Sequence, residues 1–104
     1  MNRTEQLEEF YREDPGDPFN AYALALEYLK SNTQKAQELF EKLLSTHPNY
    51  LPTYYPFAQL LSEQQDDRAE VIYKQGIDTA KRLNDLKTFR ELTSAYNDWL
   101  FDHS

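Results

Sequence analysis

DPFNAYALALEYLKSNTQKAQELFEKLLSTHPNY, residues 17–50, carries the pattern on which the fold turns. Asp17-Pro18 reads as a helix start, with an aspartate cap and a proline at the first helical position. Ala21, Leu24, Ala25 and Tyr28 then fall on one face of a helix. Ser31-Asn32-Thr33 is a turn and a fresh cap. Ala36, Leu39, Phe40, Leu43 and Leu44 follow at helical spacing, and His47-Pro48-Asn49 ends the second helix. Two helices joined by so short a turn form an antiparallel hairpin.

Sliding the chain against itself by 33 residues shows that this hairpin recurs. Leu24 meets Phe57, Ala25 meets Ala58, Tyr28 meets Leu61, Ala36 meets Ala69 and Phe40 meets Tyr73. Pro15 meets Pro48, and Leu7 meets Phe40. Residue size is kept because a small side chain marks where two helices approach and a large one fills the space beside it. Ala21 meets Tyr54, a departure in size.

Working outward, the spacing predicts a lone helix over 3–13, carrying Leu7, Phe10 and Tyr11 and stopped by Asp14-Pro15-Gly16. It predicts a first helix pair over 18–48 and a second over 52–83. In the second pair Tyr54, Phe57, Ala58 and Leu61 face one way on the first helix. Ala69, Ile72, Tyr73, Ile77 and Ala80 do so on the second. Thr53 as N-cap would leave Pro56 in the first turn, where its missing N–H costs little. A last helix over 85–101 carries Leu86, Phe89, Leu92, Tyr96 and Trp99. It matches the first helix of a further unit at an offset of 35, and its polar outer face suits a capping helix. All 104 residues are expected to form one all-α domain.

Composition narrows the function. Eleven basic residues against eighteen acidic ones give a net charge of −7, a poor basis for binding phosphate backbones. No cysteine is present, which removes disulfides, thiolate metal sites and cysteine nucleophiles, and fits a reducing, cytoplasmic location. No apolar run is long enough for a membrane span, and Met1 to Gln6 lack the apolar core of a signal peptide. His47 and His103 stand at helix ends, and Glu8-Glu9 and Asp66-Asp67 are neighbours that do not face each other on a helix. No phosphate loop or nucleophile elbow occurs. The expectation is therefore no enzyme, no cofactor, no metal, no nucleic acid and no membrane.

The residues resemble the tetratricopeptide repeat family. That family's unit runs bulky residue, Leu-small, Tyr, a tight turn, then Ala, an aromatic, a small or apolar residue, and Pro. The first unit offers Ala21, Leu24-Ala25, Tyr28, Ala36, Phe40, Leu43 and Pro48. The second offers Tyr54, Phe57-Ala58, Leu61, Ala69, Tyr73 and Gly76, with Lys81 at the proline position. Each unit is one residue short of the usual period of 34, and Ala25 and Ala58 replace the usual glycine. The resemblance covers nearly the whole chain. It implies a short right-handed α-solenoid of about six helices and a protein-interaction role.

It also implies a concave face lined by the first helix of each pair. The matching residues are Phe19, Tyr22, Leu26 and Leu29, then Tyr55, Gln59 and Ser62, then Arg90, Ser94 and Asn97. Some family members clamp acidic chaperone tails on this face with Lys and Asn. The corresponding positions here are Tyr22, Leu26, Gln59, Arg90 and Ser94, of which one is basic. A carboxylate needs more donors of positive charge than that, so the expected partner is a protein or peptide other than an acidic tail. Self-association, as a homodimer or larger homo-oligomer, is the alternative role. Phe10 and Tyr11 at one end of the chain and Trp99 and Phe101 at the other suggest it.

Overall fold

The computed structural model describes residues 1–104 and is wholly helical outside its turns. Six α-helices run in order: α1 Arg3–Glu13, α2 Pro18–Tyr28, α3 Thr33–Thr46, α4 Tyr54–Glu63, α5 Arg68–Arg82 and α6 Leu86–Asp102. They gather into two compact units, Met1–Thr53 and Tyr54–Ser104. In the first, α2 packs against α1 and α3. In the second, α5 packs against α4 and α6, and α6 also touches α4.

The helix starts follow from short polar side chains that accept otherwise orphaned backbone N–H groups. Asn2 accepts from the Glu5 N–H at 2.8 Å, Asp17 from Phe19 at 3.0 Å, Asn32 from Lys35 at 3.1 Å and Asp85 from Thr88 at 3.0 Å. Two ends rest on a left-handed residue. Gln65 (φ 57°) follows α4 and Asn84 (φ 59°) follows α5. The next N–H then reaches back to the last turn, from Asp66 to the Leu61 carbonyl and from Asp85 to the Ala80 carbonyl, both at 2.9 Å. That reversal turns α4 into α5 and α5 into α6.

In the first unit Leu7, Ala21, Leu24, Ala25, Tyr28, Ala36, Phe40 and Leu43 are buried. Phe40 is fully enclosed, a burial that stabilises by about 1.5–3 kcal/mol. In the second, Tyr54, Phe57, Ala58, Leu60, Leu61, Ala69, Ile72, Tyr73, Gly76, Ala80 and Leu92 are buried. Gly76 lets α5 approach closely. A Cβ there would lie 2.8 Å from Leu92 Cδ1 and 2.8 Å from Tyr54 Cβ. By the 33-residue offset, Ala21 stands where Tyr54 does and Leu43 where Gly76 does. The bulk has moved from the second helix of the hairpin to the first, which accounts for the mismatch at Ala21.

Two expectations change and one holds. Thr53 does not cap α4 with its side chain: it ends a 3-10 turn over Leu51–Thr53, and its buried Oγ1 finds no partner. Pro56 does lie in the first turn of α4. Leu86 is 61% exposed, because it stands at the very start of α6. Leu92 is the one α6 side chain fully buried, while Phe89, Tyr96 and Trp99 are half-buried.

Candidate functional site

Six of the expected residues divide between two clefts, one in each unit. On α2, Phe19, Tyr22, Ala23 and Leu26 share a strip beside the buried face, and Lys30 follows just beyond the C-cap of the helix. Phe19, Tyr22 and Leu26 line an open cleft of about 360 Å³. Phe19 is 59% exposed, and Tyr22 and Leu26 are half-buried. Leu29, also expected here, is half-buried at the C-cap of α2 and does not line the cleft.

Two contacts shape this cleft. The Tyr22 ring meets the Tyr50 ring edge-on, with centroids 5.8 Å apart and planes at 66°. Such a contact fixes the ring in one orientation. Burial, then the neighbouring Tyr22 and Asp17, raise the Tyr50 hydroxyl above the ordinary tyrosine range, so it stays neutral. At the other end, the half-buried Glu27 carboxylate holds Arg3 Nε at 3.4 Å and Lys30 Nζ at 3.2 Å. Two cations share one carboxylate, so this end of an apolar cleft is positive.

The second unit offers a different surface. Tyr55, Arg90 and Ser94 line a cleft of about 580 Å³ with Glu91, Ala95 and Asp98. Two carboxylates against one guanidinium give its lining a net negative charge. Gln59 is exposed and Ser62 half-buried, and neither lines the cleft. Tyr50, Arg3, Glu27 and Lys30 were missed by sequence reasoning. Lys30 stands four residues after Leu26, and extending that spacing past the helix end could have found it. Arg3 and Tyr50 reach the cleft only through packing of other segments.

No three His, Asp or Glu side chains come together as a metal site. No helix is long and apolar enough to cross a membrane.

No family model and no curated protein matches the sequence. Solved structures do. The solution NMR structure of a tetratricopeptide repeat domain protein from Salinibacter ruber is 41% identical and superimposes with a TM-score of 0.78. The match covers 83% of this chain and 89% of that one. A crystal structure of a tetratricopeptide repeat domain protein from the same organism is 40% identical at a TM-score of 0.74. It covers 80% of this chain and 94% of that one. The chain belongs to the tetratricopeptide repeat family.

The pairs that the 33-residue offset relates are α2 with α3 and α4 with α5. The Ala25 and Ala58 departures are tolerated because both residues are fully buried and small enough for close helix approach. The fold is one used for protein interaction.

Proposed function

We propose that this protein is a non-enzymatic interaction module that seats an apolar segment of a protein partner against α2. The observation that carries this reading is the cleft floored by Phe19, Tyr22 and Leu26. Phe19 stays 59% exposed there although it is large and aromatic. Aromatic side chains of this kind supply much contact area for little entropy and are enriched where partners bind. Apolar patches left open on a soluble domain mark contact surfaces. In the second unit, Tyr55, Arg90 and Ser94 offer polar contacts of their own. The family and the lack of cysteine support a binding role in a reducing compartment.

Capture of partners from the native lysate tests this, using the wild-type chain and variants with Tyr22, Leu26 and Tyr55 changed singly to Ala. Loss of a partner with Tyr22→Ala or Leu26→Ala, at unchanged thermal stability, supports the α2 cleft. An unchanged partner set in all three variants rejects it.

A further inference from the structure

We propose that the first unit carries a second docking surface, a cleft between α1, α2 and α3 that takes an acidic amphipathic helix of a partner protein. The cleft is about 570 Å³ and shares no lining residue with the Phe19–Leu26 cleft. Its floor is apolar and aromatic: Leu24 and Tyr28 from α2, Leu39 from α3 and Tyr11 from α1.

Its rim is where charge gathers. Lys35 and Lys42 on α3 and Arg12 on α1 edge the cleft. Each lysine lies over a tyrosine ring instead of beside a carboxylate. Lys35 Nζ is 5.4 Å from the Tyr28 centroid, and Lys42 Nζ is 5.6 Å from that of Tyr11. Lys42 Nζ also donates to the Tyr11 hydroxyl at 3.0 Å. Arg12 forms no ion pair. Two carboxylates line the same cleft. Glu8 is occupied, since the Tyr28 hydroxyl donates to it, and Glu38 is exposed on α3. Three cations against two carboxylates make the lining net positive in a chain of net charge −7. Cations left without acidic partners, where acids are abundant, are matched to an anion from outside.

The spacing selects the form of that anion. Lys35, Leu39 and Lys42 are four and three residues apart on one face of α3. At 1.5 Å per residue the two lysines are about 10 Å apart along the axis, with the leucine between them. One small anion does not span that distance. A partner helix with acidic residues seven apart and an apolar residue between them repeats the pattern with opposite charge. Its apolar stripe would lie on Leu24, Leu39 and the two tyrosine rings, as helices lie in the groove between two others.

The test uses the full chain and a fluorescein-labelled, alanine-based helical peptide with glutamates seven residues apart and a leucine between them. Fluorescence anisotropy should show binding that weakens as salt rises. Lys35→Met with Lys42→Met keeps the stems, removes both charges and should weaken binding at least about tenfold. Leu39→Ser should weaken it too, and Tyr22→Ala should leave it unchanged, which separates this surface from the α2 cleft. All these positions are at least partly exposed, and circular dichroism confirms that each variant is folded. Absence of binding at millimolar peptide, equal binding of a peptide with lysines for the glutamates, or binding unchanged in the double lysine variant overturns the proposal.

Discussion

Replacing Gly76 with alanine adds one methyl group to α5, and two effects of opposite sign follow. In an open helix the change removes glycine's entropic cost and stabilises by about 1 kcal/mol. At position 76 the new Cβ would lie 2.8 Å from Leu92 Cδ1, 2.8 Å from Tyr54 Cβ and 2.9 Å from Tyr54 Cγ, against 3.4–4 Å for ordinary contact. Leu92 could rotate its terminal methyl away. Tyr54 Cβ is fixed to the backbone of α4, so relief requires the two helices to separate. Overpacking of this kind costs about 1–3 kcal/mol, and the backbone-bound contact puts Gly76 at the upper end. The net effect is a loss of about 2 kcal/mol, equivalent to a fall in Tm of roughly 10 °C for a chain of this size. Thermal denaturation followed by circular dichroism reads it directly. Gly16→Ala is the control, because its nearest atom would be Asp14 Oδ1 at 3.9 Å, and its Tm should hold or rise slightly. The double variant Tyr54→Ala with Gly76→Leu imports the arrangement of the first hairpin, Ala21 with Leu43. It should lose less stability than the sum of its single variants, because the two sites share one space. A Gly76→Ala protein as stable as wild type, or more so, refutes the close-approach argument.

Further outcomes follow from other residues. Gln65 holds φ at 57° and Asn84 at 59°, so Gln65→Gly should raise stability by about 0.5–1 kcal/mol in urea denaturation, and Asn84→Gly by less, since asparagine tolerates this region better. Asn32→Ala removes the acceptor for the Lys35 N–H and should cost about 1 kcal/mol in the same assay. Tyr28 is pushed up from 10.0 to about 12, first by burial and then by its hydrogen bond to Glu8. Because the folded value lies above the unfolded one, its contribution is whole below pH 10 and lost as pH rises towards 12. NMR titration of the tyrosine Cζ carbons should show Tyr28 ionising late. Glu8→Ala should bring it only part of the way down, because burial remains; a complete return to the ordinary value would contradict that ordering of causes. Phe40→Ala should cost about 3–5 kcal/mol, since this ring is fully enclosed.

Periodicity determined much of this protein. The stripe Ala21, Leu24, Ala25, Tyr28 and its copy Tyr54, Phe57, Ala58, Leu61 are buried in the structure as their spacing requires. Asp17-Pro18, Asn32 and Asp85 begin helices because capping is a local exchange between a side chain and an N–H two or three residues on. Such signals are legible in one dimension. The strip Phe19, Tyr22, Leu26 was legible too, since it follows from the same 3.6-residue turn. What it meets was not. Tyr50 and Arg3 reach this strip from segments distant in the chain, and Glu27 gathers two cations only once α1 packs on α2. The exchange of bulk between Ala21 with Leu43 and Tyr54 with Gly76 is visible as a pair of mismatches in the repeat. Only the packed helices show that the mismatches concern one shared volume. Spacing along one helix thus decided which face is buried, while the tertiary structure decided what lies opposite that face, because contact between helices depends on distances that no single helix contains.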